Sequence, residues 1–469
     1  MAEELSQDAL DAIQRFLARN NEVLFGRNLR RYQRDLYIRG AFAPEGLLQD
    51  FACTFLGTVT FANKAYAWRF YSARLEVDFW VLSSLCNEGY LLEGVYIARS
   101  RTFIGLAGRS FDNPAQQHQL SVCRRYKDGG RAASLESPRP SRVVLRVGHD
   151  NYAHFMWNEL PALILCEQYI SHAGLEVVVI NEPIAALEAL WYVPPDAPLT
   201  KASQQHYIPL DDSLYPFVIF SVGGSAVTQA AKQRIIAACL QLETDSGMAF
   251  QKTGAWVIWV SLRVTFRHAV NLDEALLALV RRLGSMEGTF DLLLDGWSVP
   301  GDLIASERYN VEAMMANQIA VQAEAARLVS LTREMGLSNV VLHDFTAAST
   351  PVSMSLARHA DFYICHGGTQ QHKIGWLYDV PGIIHTNVHL SRSFSPVWTA
   401  DMALSEQIPA LIPVAILEDA VTTNRFQNEP ARRDYRITDL DAFVDLVIEH
   451  LERARGRSPP GEHPARALA

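Results

Sequence analysis

The 469-residue chain is poor in cysteine, and its cysteines are scattered: Cys53, Cys86, Cys123, Cys166, Cys239 and Cys365 stand singly, with no CxxC pair. A zinc ribbon or a disulfide framework is therefore not what organises the fold, and reduced, mostly buried thiols are expected. Long hydrophobic runs are missing too. No stretch approaches the roughly 18–20 apolar residues of a membrane span. The N-terminus, MAEELSQDALDAIQRFLARNN, is charged and amphipathic and lacks the apolar run of a signal peptide. The expectation is a cytosolic protein, with peripheral contact at the inner face of a membrane left open. A basic surplus is also lacking. The formal net charge is −9, with acidic and basic residues mixed along the chain. That argues against nucleic acid as the main partner, because phosphate backbones need a basic face. A local basic pocket for a small anion stays compatible with it.

What is present suits a packed globular protein: 49% hydrophobic and 20% charged residues. The length predicts two large domains or three small ones. Residues 1–50 read as helical, with an amphipathic stretch near 8–19. Residues 51–125 alternate apolar and polar positions, rich in aromatic and β-branched side chains, and read as several strands. A polar Gly/Pro/Ser-rich loop follows at 125–142. Then strands alternate with helices: SRVVLRV, a helix over 152–170, LEVVVI, and a helix over 183–193. A second such series begins at GAWVIWV near 254 and runs through TFDLLLDG, NVVLHD, DFYICHG and VPGIIHT. Strand–helix alternation implies parallel sheets with right-handed crossovers. The predicted architecture is α/β, with two Rossmann-like domains facing a cleft. The N-terminal domain spans 1–250, with a helical and β-rich extension over 1–140, and the C-terminal domain spans 251–435. A closing helix and a tail occupy 436–469. In such sheets ligands sit beyond the carboxyl ends of the strands, so those loops are where chemistry is sought.

Three such places carry unusual residues. In VGHDNYAHFMWNELPALIL, 147–165, a helical plot puts Asn151, His154, Phe155, Asn158, Glu159 and Ala162 in one arc, opposite Met156, Leu160, Leu163 and Ile164. A His or a carboxylate there can take a proton from a hydroxyl nucleophile. The plainer reading makes Asn151 a helix cap and leaves His154 and Asn158 hydrogen-bonded in the core. Pro161 lacks a backbone donor and should bend the helix near Trp157. In WVIWVSLRVTFRHAVNLDEAL, 256–276, a strand runs into Arg263, Arg267 and His268, with Asn271 at the mouth of a helix. Two arginines four apart suit a diphosphate clamp, since each guanidinium offers a planar fork of donors. A solvated basic loop is the alternative. In DFYICHGGTQQHK, 361–373, His366, Gly367, Gly368 and Thr369 join strand to helix. Glycines let backbone N–H groups approach an anion. The turn matches neither the GxxxxGK[ST] nor the GxGxxG phosphate loop.

Six of the 14 histidines, at 343, 359, 366, 372, 385 and 389, crowd one region. No HExxH occurs, and the spacing fits no common metal-ligand pattern, so a metal site is the lesser reading. Asp439-Leu-Asp441 has a DxD form, but it opens a helix, where capping and dipole compensation explain it better. Tyr152, Trp157, Trp297 and Trp376 lie near these loops and could stack on a base or a sugar, or simply pack.

The order Asn-x-x-His-Phe-x-x-x-Glu-x-Pro, then Ser-x-Arg-x-x-x-Arg-x-x-x-Asn, then His-Gly-Gly-Thr before a helix, resembles glycosyltransferase family 61 over roughly 140–390. The resemblance implies a GT-B fold and an inverting transferase that needs no metal or other cofactor. Its substrates would be a nucleotide-sugar donor and a glycan or glycolipid acceptor, in bacterial surface polysaccharide synthesis. It implies Glu159 or His154 as the base, with Asn151 and Asn158 beside it. Arg263, Arg267, Asn271, His366, Gly367, Gly368 and Thr369 would bind the donor. The family's turn is usually followed by a small or apolar run, whereas Thr369-Gln370-Gln371-His372-Lys373 stands here. Other readings of the same fold are a retaining transferase, a nucleotide-sugar epimerase, or a non-catalytic glycan-binding protein.

Overall fold

The computed structural model describes residues 53–61, 65–72, 77–86, 89–97, 102–105, 143–147, 151–167, 175–179, 182–192, 199–201, 218–221, 226–265, 267–296, 298, 311–422 and 428–457. The helix expected within 1–50, the loop 125–142, Trp297 and the tail beyond 457 lie outside them, as does the Asn158 side chain. Contacts divide the chain into two units. The first holds 1–150, 154–181 and 191–226, and the second holds 151–153, 182–190 and 227–469.

In the first unit, β1 (Cys53–Phe61), β2 (Ala65–Ser72), β3 (Val77–Cys86), β4 (Gly89–Ile97) and β5 (Thr102–Gly105) form an antiparallel meander in sequence order. The alternation of FACTFLGTVTF and AYAWRFYS is the period-2 pattern that such strands need. The same unit contains a four-stranded parallel sheet. It comprises β6 (Val143–Val147), β7 (Leu175–Val179), β8 (Leu199–Lys201) and β9 (Val218–Ser221), in the order β8-β7-β6-β9.

The second unit is built on six parallel strands: β10 (Trp256–Ser261), β11 (Phe290–Asp295), β12 (Val340–Asp344), β13 (Phe362–His366), β14 (Gly382–His385) and β15 (Ala410–Leu411). Their order is β12-β11-β10-β13-β14-β15. Numbered from β10, that is 3-2-1-4-5-6, the doubly wound Rossmann order, with its switch point between β10 and β13. The first unit's sheet reads 3-2-1-4, the opening of the same order. The chain thus holds two Rossmann-type sheets, as its strand–helix alternation predicts.

The centre of the second sheet follows from composition. WVIWVS is a run of β-branched and aromatic residues, and all six positions of β10 are buried, as expected for a strand covered on both faces. The helix Leu272–Gly284 buries Leu272, Ala275, Leu276, Leu279, Val280 and Leu283, the three-and-four spacing of one helical stripe. Each buried leucine there contributes about 1.5–3 kcal/mol. The terminal helix Leu440–Arg457 adds Phe443, Val444, Val447, Ile448 and Leu451 to the same core. It is thus an integral layer of the second unit. Asp439 Oδ1 accepts from the Ala442 N–H at 2.9 Å, so the DxD stretch caps this helix. The helix Gln229–Ser246 also belongs to the second unit. Its Glu243 bonds to Ser355 and Arg358, which places the division between units earlier than residue 250. A two-stranded ribbon, β16 (Leu417–Asp419) with β17 (Tyr435–Ile437), completes the unit. No helix among the described residues is long and apolar enough to cross a membrane.

Candidate functional site

At the switch point of the second sheet, the chain leaves β10 through Leu262 and Arg263 and leaves β13 through Gly367 and Gly368. Ser261 Oγ accepts from the His366 N–H at 2.9 Å, locking the two strand ends together. His366 is fully buried. Its Nε2 bonds to the Arg267 carbonyl, which can only accept, so that nitrogen carries the proton. Its Nδ1 lone pair then faces Arg263 Nη1 at 3.5 Å. Burial, and after it the charges of Arg263, His385 and Arg267, holds the ring's pKa well below the ordinary histidine value. The imidazole is therefore neutral and presents the acceptor that a guanidinium can use.

Arg263 is 8% exposed. Its pKa is lowered by burial first and by the Arg267 guanidinium second. Arg267 is lowered by burial and then by Arg432. A second cation near a buried guanidinium raises the cost of carrying its charge, and an anion beside it would relieve that cost. The Arg267 backbone is left-handed, φ 62°, a conformation costing roughly 1–2 kcal/mol for a residue with a Cβ. The His366 bond to its carbonyl helps hold it there. Gly368 has φ 133°, and a Cβ on it would stand 3.5 Å from Arg267 Nη2; only glycine serves at that φ. Gly367 is glycine for packing, since a Cβ there would lie 3.0 Å from the Thr386 Cβ. The next residue, Thr369, meets a segment distant in sequence. Asn151 Nδ2 donates to Thr369 Oγ1 at 3.3 Å, and the Tyr152 hydroxyl donates to the Thr369 carbonyl at 2.6 Å. Asn151 Oδ1 also accepts from the Ala153 N–H at 2.9 Å, so the capping role is real as well. The pKa of Tyr152 is raised by burial and then by Asp295.

Arg263, Arg267, His366, Gly368 and Thr369 are thus gathered at one strand edge. Asn271 has a different task. It is buried, its amide donates to the Ile437 carbonyl at 2.9 Å, and its oxygen accepts from the Ile437 N–H at 3.0 Å. This backbone-like pair ties β17 to the helix mouth and occupies both ends of the carboxamide. His366 touches the arginines and positions them.

The helical stretch that begins at Tyr152 is interrupted as it enters the first unit. Phe155–Glu159 is a π turn in which the Leu160 N–H reaches the Phe155 carbonyl, and Pro161 lies just beyond it. Proline cannot donate to the Trp157 carbonyl, and the wider turn takes up that break in the ladder. In a regular α-helix His154 and Glu159, five apart, would sit about 140° from each other. A turn that pairs residues five apart swings them to one side. Both are partly exposed, whereas Phe155, Met156 and Trp157 are buried. The Trp157 indole N–H donates to His154 Nδ1 at 3.2 Å. A neutral His154 therefore carries its proton on Nε2.

Sequence reasoning missed a buried ion pair beside the turn. Lys373 Nζ donates to Asp295 Oδ2 at 2.8 Å, to the Gly296 carbonyl at 3.2 Å and to Ser298 Oγ at 2.6 Å. Lysine and aspartate are both fully buried, and Ser353 Oγ donates to the other carboxylate oxygen at 2.8 Å. The pair anchors the helix Thr369–Gly375 to the end of β11. One signal was available, because a carboxylate closing a strand as apolar as FDLLLD needs a buried partner.

The histidine-rich region is not one cluster, although His366 and His385 lie edge to face with ring centroids 5.7 Å apart. His343 pairs with Asp291 at 2.8 Å, and His343 and His359 both pack on Phe250. His372 stacks on Trp376, ring centroids 3.6 Å apart. Among the described residues, no three His, Cys, Asp or Glu side chains are grouped so as to hold a metal ion. His385 pairs with Tyr435 through Nδ1 at 2.5 Å. Burial pushes its pKa from 6.5 down to about 4. A depressed histidine costs stability as pH falls below 6.5, because the unfolded chain takes a proton that the folded one refuses. For His385 this amounts to about 2 kcal/mol at pH 5, and His366 acts with the same sign. The melting temperature should fall between pH 7 and pH 5, and His385→Gln should flatten that fall. An equal slope in the variant would contradict the assignment.

No protein-family model matches the chain. No curated protein matches it. Among solved structures, the chain is similar to a family 9 glycosyl transferase from Veillonella parvula, at 10% identity over 68% of this chain and 98% of that one, with a TM-score of 0.33. It is similar to E. coli heptosyltransferase WaaC with ADP, at 13% identity over 67% and 99%, also 0.33. A third likeness is to EarP, described in arginine glycosylation of elongation factor EF-P, at 15% over 70% and 97%, TM-score 0.26.

Proposed function

We propose that this chain is a glycosyltransferase that binds a nucleoside diphosphate sugar at the carboxyl edge of β10 and β13. The observation that carries the reading is the convergence of Arg263 and Arg267 on the Gly367–Gly368 turn at a Rossmann switch point, where such sheets bind their ligands. A leaving diphosphate develops negative charge as the glycosidic bond breaks. Preorganised guanidiniums stabilise that charge without rearranging when it appears. His366 keeps the arginines in place and stays uncharged, so it adds no third positive charge to the pair. Backbone N–H groups at Gly368 and Thr369 could approach phosphate oxygens beside the Arg267 guanidinium, because Gly368 has no side chain of its own.

The finer reading follows the resemblance of the motif order to family 61: single displacement with inversion, no metal, and a glycan or glycolipid hydroxyl as acceptor. Inversion in one step needs a base on the acceptor side, a role given to the His154–Glu159 turn. Glu159 is the stronger candidate. The basic nitrogen of His154 receives the Trp157 indole, and its other nitrogen is a donor, suited to orienting an oxygen. Bacterial surface polysaccharide synthesis remains the proposed setting.

A thermal-shift panel of nucleoside diphosphates and their sugars tests the core of this. A ligand at 100 times its Kd adds about 2.7 kcal/mol of stability, or several degrees for a domain of this size. One nucleotide series should raise the melting temperature, and the rise should vanish in Arg263→Ala. Proton NMR of the product anomer then separates inversion from retention. A binding shift with neither hydrolysis nor transfer would indicate a binding protein instead.

A further inference from the structure

The loop that carries Arg267 is zipped to a segment far along the chain. The Tyr435 N–H donates to the His268 carbonyl at 3.0 Å, and the Val270 N–H donates to the Tyr435 carbonyl at 2.8 Å. Ala269 and Tyr435 form a parallel bridge. Asp434 is buried, accepts from the His268 N–H at 3.2 Å, and pairs with the His268 ring at 3.0 Å. The turn Pro430–Arg432 just before it is therefore delivered to the edge where Arg267 stands. It is also pinned from the other side. Asn387, two residues past the end of β14 and fully buried, donates its side-chain amide to the Pro430 and Arg433 carbonyls at 3.0 Å each. Its oxygen accepts from the Leu390 N–H at 2.9 Å.

This doubly tethered turn displays Arg432. Its guanidinium pairs with Glu429 at 3.1 Å, with the two side chains 45% and 55% exposed. An exposed pair three residues apart stabilises little and does not call for two buried tethers. The tethers hold the turn where the charge of Arg432 reaches Arg267, lowering its pKa second only to burial.

We propose that Arg432 is a third arginine of the donor cradle, one that exchanges Glu429 for the terminal phosphate of a nucleoside diphosphate and sets the preference for diphosphate over monophosphate. This rests on the donor site argued above. Arg263 is buried against His366, whereas Arg432 is 45% exposed on the segment that is zipped to the Arg267 loop. A nucleoside monophosphate would fill the inner grip and leave Arg432 with Glu429. A diphosphate carries a second charged group outward and supplies a better partner than an exposed carboxylate. Glu429 holds the guanidinium in the empty site and competes weakly for it.

Isothermal titration of the full chain with UDP, GDP and ADP, and with their monophosphates, tests this on wild type, Arg263→Ala, Arg432→Ala, Arg432→Lys and Glu429→Gln. Arg432→Ala should weaken the preferred diphosphate by roughly 10- to 30-fold, the worth of one charge-assisted contact. It should leave the matching monophosphate within about twofold, so that the preference collapses. Lysine should recover part of the loss. Glu429→Gln should tighten the diphosphate by about two- to threefold at low salt. Arg432 is exposed, so an unchanged melting temperature should accompany the loss. Should Arg432→Ala bind the diphosphate like wild type while Arg263→Ala does not, this inference falls and the donor site stands. Should wild type bind none of the nucleotides, or Arg263→Ala bind them unchanged, the donor site falls and takes this inference with it.

Discussion

Arg263→Ala is expected to weaken nucleoside diphosphate binding by about two orders of magnitude, as measured by titration calorimetry. Hydrogen bonds to a charged group contribute about 1.5–3 kcal/mol each, and a guanidinium can make two to one phosphate, so a loss near 3 kcal/mol is the reasonable scale. The same substitution should not lower the stability of the ligand-free protein in proportion to the volume removed. Burial and the neighbouring Arg267 charge lower the pKa of Arg263, which means that the folded protein carries that cation at a cost. The sign follows from linkage: for a base depressed on folding, the cost is present below the folded pKa and fades as pH rises through it. Deleting the guanidinium removes that cost. Reduced ligand affinity with retained stability marks a binding arginine; loss of both would mark a structural one.

Glu159→Gln is expected to lower kcat by 10²- to 10⁴-fold, the usual worth of a general base, while leaving the diphosphate Kd within about twofold. The split arises because Glu159 belongs to the first unit, whereas the proposed diphosphate contacts belong to the second. Steady-state rates on whichever donor and acceptor prove active, paired with calorimetry, check it. His154→Ala should cost less, because Trp157 occupies its basic nitrogen. If instead His154→Ala abolishes turnover and Glu159→Gln does not, the base assignment reverses.

Much of the second unit was legible in the sequence. WVIWVS, FDLLLD, FYICH and GIIH are short apolar runs bounded by polar turns, and each became a buried parallel strand. Strands of two or three residues, such as Ala410–Leu411 and Tyr435–Ile437, carry too little pattern to be read. The helix Gln229–Ser246 escaped because its apolar residues do not gather on one stripe. The helix expected over 183–193 shrank to Leu187–Leu190. The π turn was unreadable for another reason. A helical plot assumes one period throughout, and Pro161 announces a break without saying how the chain repairs it. At the candidate site, Arg263, Arg267 and the Gly367–Gly368 turn could be picked out as cations and glycines at strand ends, and the fold brings them to one edge. Asn271 looked identical to a ligand contact, yet its carboxamide serves the Ile437 backbone. Arg432 and Lys373 gave no local signal, because what matters in each is a partner far away along the chain.

The most direct test of the cationic cradle is a crystal structure of the protein with the nucleoside diphosphate that the binding panel selects. Phosphate oxygens should lie within hydrogen-bond distance of the Arg263 and Arg267 guanidiniums, beside the backbone of Gly368. A nucleotide bound well away from the carboxyl edge of β10 and β13, with both arginines turned from it, would contradict the account.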